Sequence, residues 1–250
     1  MLKTLIIQSH KNPLPYNWLK RCLQSVKTWA LKNNYEYKFL GDEIFNRVPT
    51  KILQKTQHQK VIATDLARLL ALQYYLKQGY ETVIWCDADF LIFDPDNFKI
   101  PDTNYAIGRE VWIQHNKDNQ LKVYKKVHNA FLMFSQGNSF LDFYTETAEK
   151  LLTMNSGKMP DQFIGPKLLT ALHNIAICPV LETAGMLSPL VIKDIIGNQS
   201  KPINLFILNS SEPLSAANLC SSSCSKNDIS EVEMEKVIEK LLHNPFIFHH

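Results

Sequence analysis

The chain has 250 residues, of which 45% are hydrophobic, and its 27 basic and 24 acidic side chains leave a formal net charge of +3. This composition is typical of a globular protein with a sizeable core and excludes a disordered chain. The small charge argues against a nucleic-acid partner, and no apolar run reaches the roughly 18 residues of a transmembrane segment. The first ten residues hold too short an apolar run for a signal peptide, so a cytoplasmic protein is expected. The length allows one large or two small domains, and a single domain over 1–250 is expected.

Strand-like runs alternate with helical patterns along the chain. Strands are predicted at 4–8, 35–40, 82–86, 130–135 and 205–208. Helices are predicted at about 16–32 and 64–78, from 139, from 166, and at 230–242. Such an alternation is typical of an α/β domain with a largely parallel sheet.

Capping residues indicate where these helices begin and end. Thr64 is the expected N-cap of the second helix, and Gly79 is the glycine expected just after its C-terminus. The patterns Ser139-x-x-Asp142 and Ser230-x-x-Glu233 resemble capping boxes of the third and last helices. The last helix carries one apolar stripe, which is expected to pack on the core; peripheral contact with a membrane surface is the alternative.

The sharpest motif is Asp87-Ala-Asp89, which stands between the apolar runs 83–86 and 90–93. Ligands of open α/β sheets bind at the carboxyl ends of the strands. Carboxylates beside a core need a partner, and oxygen ligands suit Mg²⁺ or Mn²⁺, which keep open positions for substrate phosphates. Asp87 and Asp89 are therefore predicted to bind a divalent cation that neutralises a diphosphate. Two solvated carboxylates on a surface turn are the alternative.

Asp65 and Arg68 stand three residues apart and therefore share one face of the predicted second helix. With Thr64 as the N-cap they fall in its first turn, where backbone N–H groups favour anions. Arg68 is suited to a phosphate or to sugar hydroxyls, and Asp65 is suited to accept hydrogen bonds from hydroxyls. An ordinary ion pair on a solvated helix face is the alternative.

The succession of Thr64-Asp-Leu-Ala-Arg68, Gly79-Tyr80 and Asp87-Ala-Asp89 resembles the sugar-binding region of glycosyltransferases that contain a DXD motif. It is most similar to glycosyltransferase family 32, with some resemblance to families 8 and 34. The resemblance covers about 65–170. It includes the segments His128-Asn-Ala-Phe-Leu-Met133 and Asp161-Gln-Phe-Ile-Gly-Pro166.

The resemblance implies a GT-A fold, which is a Rossmann-like, mixed and mostly parallel sheet flanked by helices. In such a fold the nucleotide would lie over about 1–100 and the acceptor over about 101–250. The implied activity is that of a hexosyltransferase in polysaccharide biosynthesis. It would move a sugar from a nucleotide diphosphate sugar to a glycan or another hydroxyl acceptor, with retention, and the implied cofactor is Mn²⁺ or Mg²⁺.

The resemblance also assigns roles to individual residues. Asp65 and Arg68 would hold the donor sugar, and Asn129 would line its pocket. Asp87 would contact the ribose and the metal, and Asp89 would ligate the metal as a catalytic residue. Asp161, also given a catalytic role, and Gln162 would lie at the sugar or acceptor side. Many such enzymes complete the metal site with a C-terminal residue, for which the candidates are Asn218, Ser221, His243 and His249.

Alternatives remain open at the level of sequence. An inverting enzyme would need a carboxylate base, for which Asp161 and Glu110 are candidates. A phosphatase of the haloacid dehalogenase type also places Asp-x-Asp and Mg²⁺ after an apolar strand. A GT-A domain that binds nucleotide sugar without turnover is the third interpretation. Among the aromatic residues, Trp112 is a candidate for stacking on a sugar or base, whereas Trp85 is expected in the core.

Overall fold

Most of the predicted strands come together in one sheet in the computed structural model, which describes residues 3–197, 200–226 and 228–249. The strands are β1 (Thr4–Ser9), β2 (Glu36–Leu40), β3 (Thr82–Cys86), β4 (Phe90–Ile92), β5 (Tyr105–His115), β6 (Leu121–Ser135), β7 (Val180–Leu181), β8 (Ala184–Met186) and β9 (Ala216–Asn218). The six-stranded sheet has the order β2-β1-β3-β6-β5-β7. β1 is parallel to β2 and β3, β6 is antiparallel to β3 and β5, and β7 is parallel to β5. The predicted α/β class is confirmed, with a mixed sheet.

Helices lie between these strands in the described part of the chain. They are α1 (Leu19–Lys32), α2 (Thr50–Lys55), α3 (Lys60–Lys77), α4 (Ser139–Met154), α5 (Leu168–Ala176), α6 (Pro189–Gly197), α7 (Lys201–Asn209), α8 (Ser222–Ser225) and α9 (Glu231–His243). A 3₁₀ turn at Asp42–Arg47 precedes α2, and a π-helical turn at Phe163–Lys167 precedes α5.

The central strands are apolar throughout because helices cover both faces of the sheet. On one face, α3 and α4 belong to the same core as alternate residues of β1 and β3, namely Leu5, Ile7, Val83 and Trp85. On the other face, α1 shares a core with the intervening residues Ile6, Ile84 and Cys86. The carboxyl end of β3 is therefore held firmly on both sides, and it carries Asp87 and Asp89 directly after it.

A second, three-stranded sheet brings the C-terminal part of the chain to this motif. β4 begins one residue after Asp89 and pairs antiparallel with β9, so that Phe90 lies opposite Asn218. The Leu219 backbone N–H donates to the Asp89 carbonyl at 3.0 Å. β8 completes the sheet on the other side of β9. Asn218 thereby lies beside Asp89, although the two residues are 129 positions apart in sequence.

Two sequence predictions about elements are wrong. The residues predicted as a strand at 205–208 belong to helix α7, which has a proline in its first turn and buries Ile203 and Phe206. A short apolar run fits a buried strand or a buried helix equally well, and here the burial spacing is helical. The second predicted helix, α3, begins at Lys60, and Thr64 lies inside it with its hydroxyl donating to the Lys60 carbonyl at 3.0 Å.

The remaining caps were predicted with mixed success. Gly79 follows α3 with a φ of 94°, as expected, and Ser230 caps α9 in a capping box with Glu233. The N-cap of α4 is Asn138 instead of Ser139, because the Asn138 side chain accepts from the Leu141 N–H at 3.0 Å. The helix expected from 166 begins as the π-helical turn at Phe163–Lys167.

The apolar stripe of α9 packs into a core that includes residues of α6, as expected, and is not presented to a membrane surface. Its inward residues are Met234, Val237, Ile238 and Leu241, each 0% exposed. In the ranges that the structure describes, no helix combines the length and the apolar character needed to cross a bilayer.

Candidate active site

Asp87 and Asp89 line an open cleft of about 610 Å³ at the carboxyl end of β3. The walls of the cleft come from α3, from the hairpin of β5 and β6, from the turn before α5 and from the segment between β9 and α8. This edge of an open α/β sheet is the place where ligands bind.

Asp65, Arg68 and Asn129 form a buried polar network in this cleft. Asn129 Nδ2 donates to Asp65 Oδ1 at 2.9 Å, and Arg68 Nη2 lies 3.5 Å from the same oxygen. Arg68 Nη1 donates to the Asn129 carbonyl at 2.6 Å. Because Asp65 is only 3% exposed and Arg68 only 6%, they are not an ion pair on a solvated face. Asp65 Oδ2 is buried against Gly165 and has no hydrogen-bond partner among the described residues.

Arg68 joins this network to Asp87. Arg68 Nη2 lies 3.2 Å from Asp87 Oδ1, which also accepts from the Trp85 indole N–H at 2.7 Å. Desolvation raises the pKa of Asp87 to about 6, although a quarter of the side chain is exposed; Arg68 opposes this rise and Asp89 adds to it. Desolvation also raises the pKa of Asp65, against the attraction of Arg68. Acidic groups that resist ionisation in a shared cleft favour a bound cation.

Both oxygens of the Asp89 carboxylate are held by the C-terminal segment. Asn218 Nδ2 donates to Asp89 Oδ1 at 2.6 Å, and the Ser221 backbone N–H donates to Asp89 Oδ2 at 2.7 Å. Asn218 Oδ1 in turn accepts from the Cys220 N–H at 2.8 Å. A carboxylate has about four lone-pair sites, so Asp89 keeps acceptor capacity toward the cleft.

An irregularity in β6 places Asn129 next to Asp65. Ile107 pairs with Leu132, whereas the next residue of β5, Gly108, pairs with His128, so that β6 carries 129–131 as additional residues. Bulges of this kind re-aim side chains beside active sites. Gly108 is required here because a Cβ at this position would overlap the His128 ring.

The His128 imidazole is buried and neutral beneath this irregularity. Its Nδ1 accepts from the Ala130 N–H at 3.1 Å, so its Nε2 carries the proton and donates to the Ala184 carbonyl at 3.1 Å. Burial lowers the pKa of His128 to about 4. The hydrogen bonds of His128 therefore connect β6 to β8 and fix the backbone of β6 around Asn129.

The turn before α5 approaches the network closely at Gly165. A Cβ on Gly165 would lie 2.5 Å from Asp65 Oδ2 and 2.8 Å from Asn129 Nδ2, so no larger residue fits without displacing them. Tyr144 Oη donates to the Ile164 carbonyl at 2.8 Å and fixes this turn against α4.

The structure brings together most of the residues predicted for the site. The cleft is lined by Asp65, Arg68, Asp87, Asp89, Asn129 and Gln162, by Asn218 and Ser221 among the C-terminal candidates, and by Glu110 and Trp112. Asp161 is exposed and does not line the cleft. His243 and His249 do not line it either, and His243 Nδ1 donates to the Glu239 carbonyl at 2.8 Å on α9.

The predicted role of a helix N-terminus at Asp65 and Arg68 is wrong. Because α3 begins at Lys60, both residues lie beyond the first turn, and the backbone N–H groups around them are used inside the helix. The positive charge that α3 brings to the cleft is that of the Arg68 side chain.

Three contributions were missed in the sequence. Trp85 is buried in the core as expected, but its indole N–H also holds Asp87; the two-residue spacing along a strand is the signal that predicts a shared face. Gly165 precedes a proline, which is a turn signal. The backbone N–H of Ser221 carries no signal in the sequence, because any residue type provides it.

The oxygen donors fit a hard divalent cation. Asp87 and Asp89 offer carboxylates, and within the described ranges no group of three His, Cys, Asp or Glu residues is placed to bind a metal on its own. Mg²⁺ usually binds through one or two carboxylates together with waters and substrate phosphates, and not in an all-protein cage. The residues present therefore suit a cation that binds together with a diphosphate.

Comparisons with known proteins give distant matches among solved structures. No protein-family model matches the chain, and no curated protein does. Among solved structures, a glycosyltransferase involved in glycosylation of the major capsid of PBCV-1 is 11% identical, with 95% of this chain and 99% of that chain covered and a TM-score of 0.49. An active-site mutant of LgtC is 12% identical, with coverages of 86% and 87% and a TM-score of 0.45.

A further solved structure, 4-diphosphocytidyl-2C-methyl-D-erythritol synthase from Anaerococcus prevotii, is 9% identical, with coverages of 72% and 88% and a TM-score of 0.31. Each of these is a protein to which this chain is similar. At these identities and TM-scores, we infer the function from the residues of the cleft.

Proposed function

We propose that this chain is a metal-dependent glycosyltransferase that moves a hexose from a nucleoside diphosphate sugar to a hydroxyl group of a glycan. The observation that carries the proposal is the joining, through Arg68, of a buried hydrogen-bonding network to a pair of carboxylates at the carboxyl end of β3. A sugar diphosphate requires both parts, since its ring presents hydroxyls and its diphosphate presents charge.

The residues divide the work by their chemistry. Asp65 and Asn129 line the cleft and offer a carboxylate and an amide to the hydroxyls of the donor sugar, and Asn129 also holds Asp65 in place. Asp87 and Asp89 would hold Mn²⁺ or Mg²⁺, which when bound neutralises the diphosphate as it leaves. Arg68 adds positive charge to the same region while it orients Asp65 and Asp87.

Retention of configuration is part of the proposal. The acceptor oxygen bonds to the anomeric carbon as the bond from that carbon to the diphosphate breaks, and the acceptor proton passes to a diphosphate oxygen on the same face. This route needs no protein base. An inverting reaction would need a protein base, and the candidate in the cleft is Glu110. A carboxylate with a raised pKa is a stronger base, and burial raises the pKa of Glu110, against the attraction of Lys126. NMR of the product anomer distinguishes the two routes.

Thermal melting against nucleotide sugars tests the proposal. UDP-glucose, UDP-galactose, GDP-mannose and dTDP-glucose are each added with Mn²⁺, with Mg²⁺ or with EDTA. A ligand at 100 times its Kd stabilises the folded state by about 2.7 kcal/mol. For a chain of this size that free energy corresponds to a rise in melting temperature of roughly 5–10 °C. We expect such a rise with one nucleotide family, dependent on the metal, together with release of the nucleoside diphosphate.

The matched variants are Asp89→Asn in the cleft and Asp102→Asn at an exposed position outside it. Asp89→Asn should remove the metal-dependent rise, whereas Asp102→Asn should retain it. If no nucleotide sugar changes the melting temperature of the unmodified protein, the proposal fails. Hydrolysis of p-nitrophenyl phosphate in that case would favour the phosphatase interpretation.

A further inference from the structure

The hairpin of β5 and β6 extends the cleft beyond the end of the sheet. Cys86, the last residue of β3, lies opposite Phe131 of β6. The part of β6 before Phe131, together with its partner residues on β5 up to His115, therefore projects past the end of β3 on the side where Asp87 lies. The projecting hairpin forms one wall of the cleft.

One face of this hairpin is polar and aromatic and is turned to the cleft. Three successive cross-strand pairs share it, because alternate residues of a strand point to the same side: Glu110 with Lys126, Trp112 with Tyr124, and Gln114 with Lys122. Five of these six residues line the cleft. The opposite face carries Val111 and Ile113, which are buried in the core.

Trp112 and Tyr124 form the centre of this face. Directly opposed side chains in an antiparallel pair have Cβ atoms about 5 Å apart, so Trp112 and Tyr124 lie side by side on this face. The Trp112 indole N–H donates to Gln114 Oε1 at 3.0 Å, which fixes the indole. The ammonium groups of Lys122 and Lys126 lie 5.5 and 5.6 Å from the centre of the Tyr124 ring.

We propose that the Trp112–Tyr124 surface binds the acceptor and that the acceptor is a carbohydrate, whose ring stacks on the indole. This inference rests on the proposed function, because it supplies the second substrate of the same cleft. A pyranose presents an apolar C–H face to an aromatic ring and hydroxyls at its edge. Glu110 and Gln114 flank Trp112 on the same strand face and provide the acceptors and donors for those hydroxyls.

The polar groups of this face suit the hydroxyls of a sugar. The Glu110 carboxylate is 8% exposed and lies two residues from Trp112 on the same face of β5, between the aromatic pair and the core of the sheet. Lys126 lies opposite Glu110 on β6. A carboxylate accepts hydrogen bonds from hydroxyls and an ammonium group donates to them, so both kinds of partner stand beside the aromatic residues.

Trp112 is itself a reporter of this site. The chain has four tryptophans, and Trp18, Trp29 and Trp85 are at most 1% exposed, so a soluble quencher such as acrylamide reaches the fluorescence of Trp112 first. Maltose, cellobiose, lactose, chitobiose and α-1,3-mannobiose, each at up to 100 mM, are added during the acrylamide titration. We expect at least one of them to protect the quenchable fluorescence in a saturable way. N-acetyltryptophanamide under the same conditions controls for effects of the sugar on quenching itself.

Variants separate stacking from structure. Trp112→Phe should remove the quenchable component of the fluorescence and keep part of the affinity for the sugar. Trp112→Ala should weaken the binding of the sugar that protects Trp112, or raise the KM for that sugar as acceptor, by about tenfold. Lys125→Ala is the matched control, because Lys125 neighbours Tyr124 but lies exposed on the opposite face. It should leave the acceptor KM unchanged.

The outcomes distinguish this inference from the proposed function. Protection by UDP or GDP alone, with none from any disaccharide, would overturn the acceptor assignment while the donor site stands. So would an unchanged acceptor KM in Trp112→Ala. Protection by a disaccharide in a protein whose melting temperature responds to no nucleotide sugar would support the carbohydrate surface and reject the glycosyltransferase.

Discussion

Replacement of Arg68 by methionine tests whether the buried network depends on paired charge. The guanidinium lies 3.5 Å from Asp65 and 3.2 Å from Asp87, and the Arg68 and Asp65 side chains are 7% and 4% exposed. Arg68→Met leaves the Asp65 carboxylate buried without a cation. Removal of one partner from a buried pair costs about 3–5 kcal/mol of unfolding free energy, because the remaining charge stays desolvated.

A double variant separates the charge from the contacts. In the unmodified protein, Asn129 Nδ2 donates to the Asp65 carboxylate at 2.9 Å. Asp65→Asn removes the buried charge but keeps an oxygen that can accept this hydrogen bond. In Arg68→Met with Asp65→Asn, the fully buried charge is gone and only Asp87, a quarter of whose side chain is exposed, lacks its cation. The loss should fall to about 1–2 kcal/mol, which corresponds to the lost bond from Arg68 to the Asn129 carbonyl. We therefore expect the double variant to be more stable than Arg68→Met by about 2–3 kcal/mol at pH 7.

Urea unfolding at pH 7 and pH 5 measures these free energies. Burial raises the pKa of Asp65 above its ordinary value, and loss of Arg68 removes the attraction that opposes this rise. At Asp65 the folded single variant then binds more protons than the unmodified protein, so the stability of Arg68→Met relative to the unmodified protein should increase as the pH falls from 7 to 5. A double variant that is no more stable than Arg68→Met at pH 7 would refute the reasoning. Both variants should lose the nucleotide-sugar melting shift.

Three further predictions follow from named contacts. Burial lowers the pKa of His128 to about 4 from the ordinary 6.5, so the unfolded chain binds a proton at this histidine at a higher pH than the folded chain does. About 3 kcal/mol of unfolding free energy, which is fully present above pH 7, should therefore be lost as the pH falls from 6.5 to 4. Urea unfolding across that range measures the loss. Gly165→Ala should cost about 1–3 kcal/mol in thermal unfolding and weaken donor binding, because its Cβ would lie 2.5 Å from Asp65 Oδ2. Asn138→Ala should cost about 1 kcal/mol and Ser139→Ala much less, because Asn138 caps α4.

Each of these has a control in the same chain. For the histidine, the unmodified protein is the reference: His128→Asn should flatten the slope of stability against pH, whatever its effect on the overall stability. An unaltered slope in His128→Asn contradicts the assignment. Gly157→Ala meets nothing within 4 Å of its Cβ and should be nearly neutral, so equal losses at Gly157 and Gly165 would count against the close approach. Equal losses at Asn138 and Ser139 would contradict the observed cap.

The arrangement around Asp89 assigns a structural purpose to the C-terminal segment. Asn218 and the Ser221 N–H hold both carboxylate oxygens, and the pairing of β4 with β9 sets their position. The segment from β9 to α8 therefore completes the cleft, although the motif that predicts the site, Asp87-Ala-Asp89, ends 129 positions before Asn218 in the sequence.

The local sequence predicted most of the elements and most of the candidate residues that line the cleft. The apolar run of β3 and the two carboxylates after it predict both the strand and the edge of the sheet where a ligand binds, because residues that follow a buried strand emerge at its end. Asp65 and Arg68 are likewise identified by their helical spacing. The wrong helix start at Thr64 and the wrong strand at 205–208 share one cause: a short window shows composition and period, but not which residues become buried.

Tertiary structure alone decided how these residues act. Burial converts Asp65 and Arg68 from a plausible surface pair into a desolvated network with Asn129, and an irregularity in β6 directs Asn129 toward them. Asn218 reaches Asp89 across 129 residues through a strand pairing that has no local signal. Asp161, predicted beside Gln162, lies outside the cleft because adjacent residues in a turn point in different directions. Desolvation, register and direction depend on the whole chain, and a sequence window contains none of them.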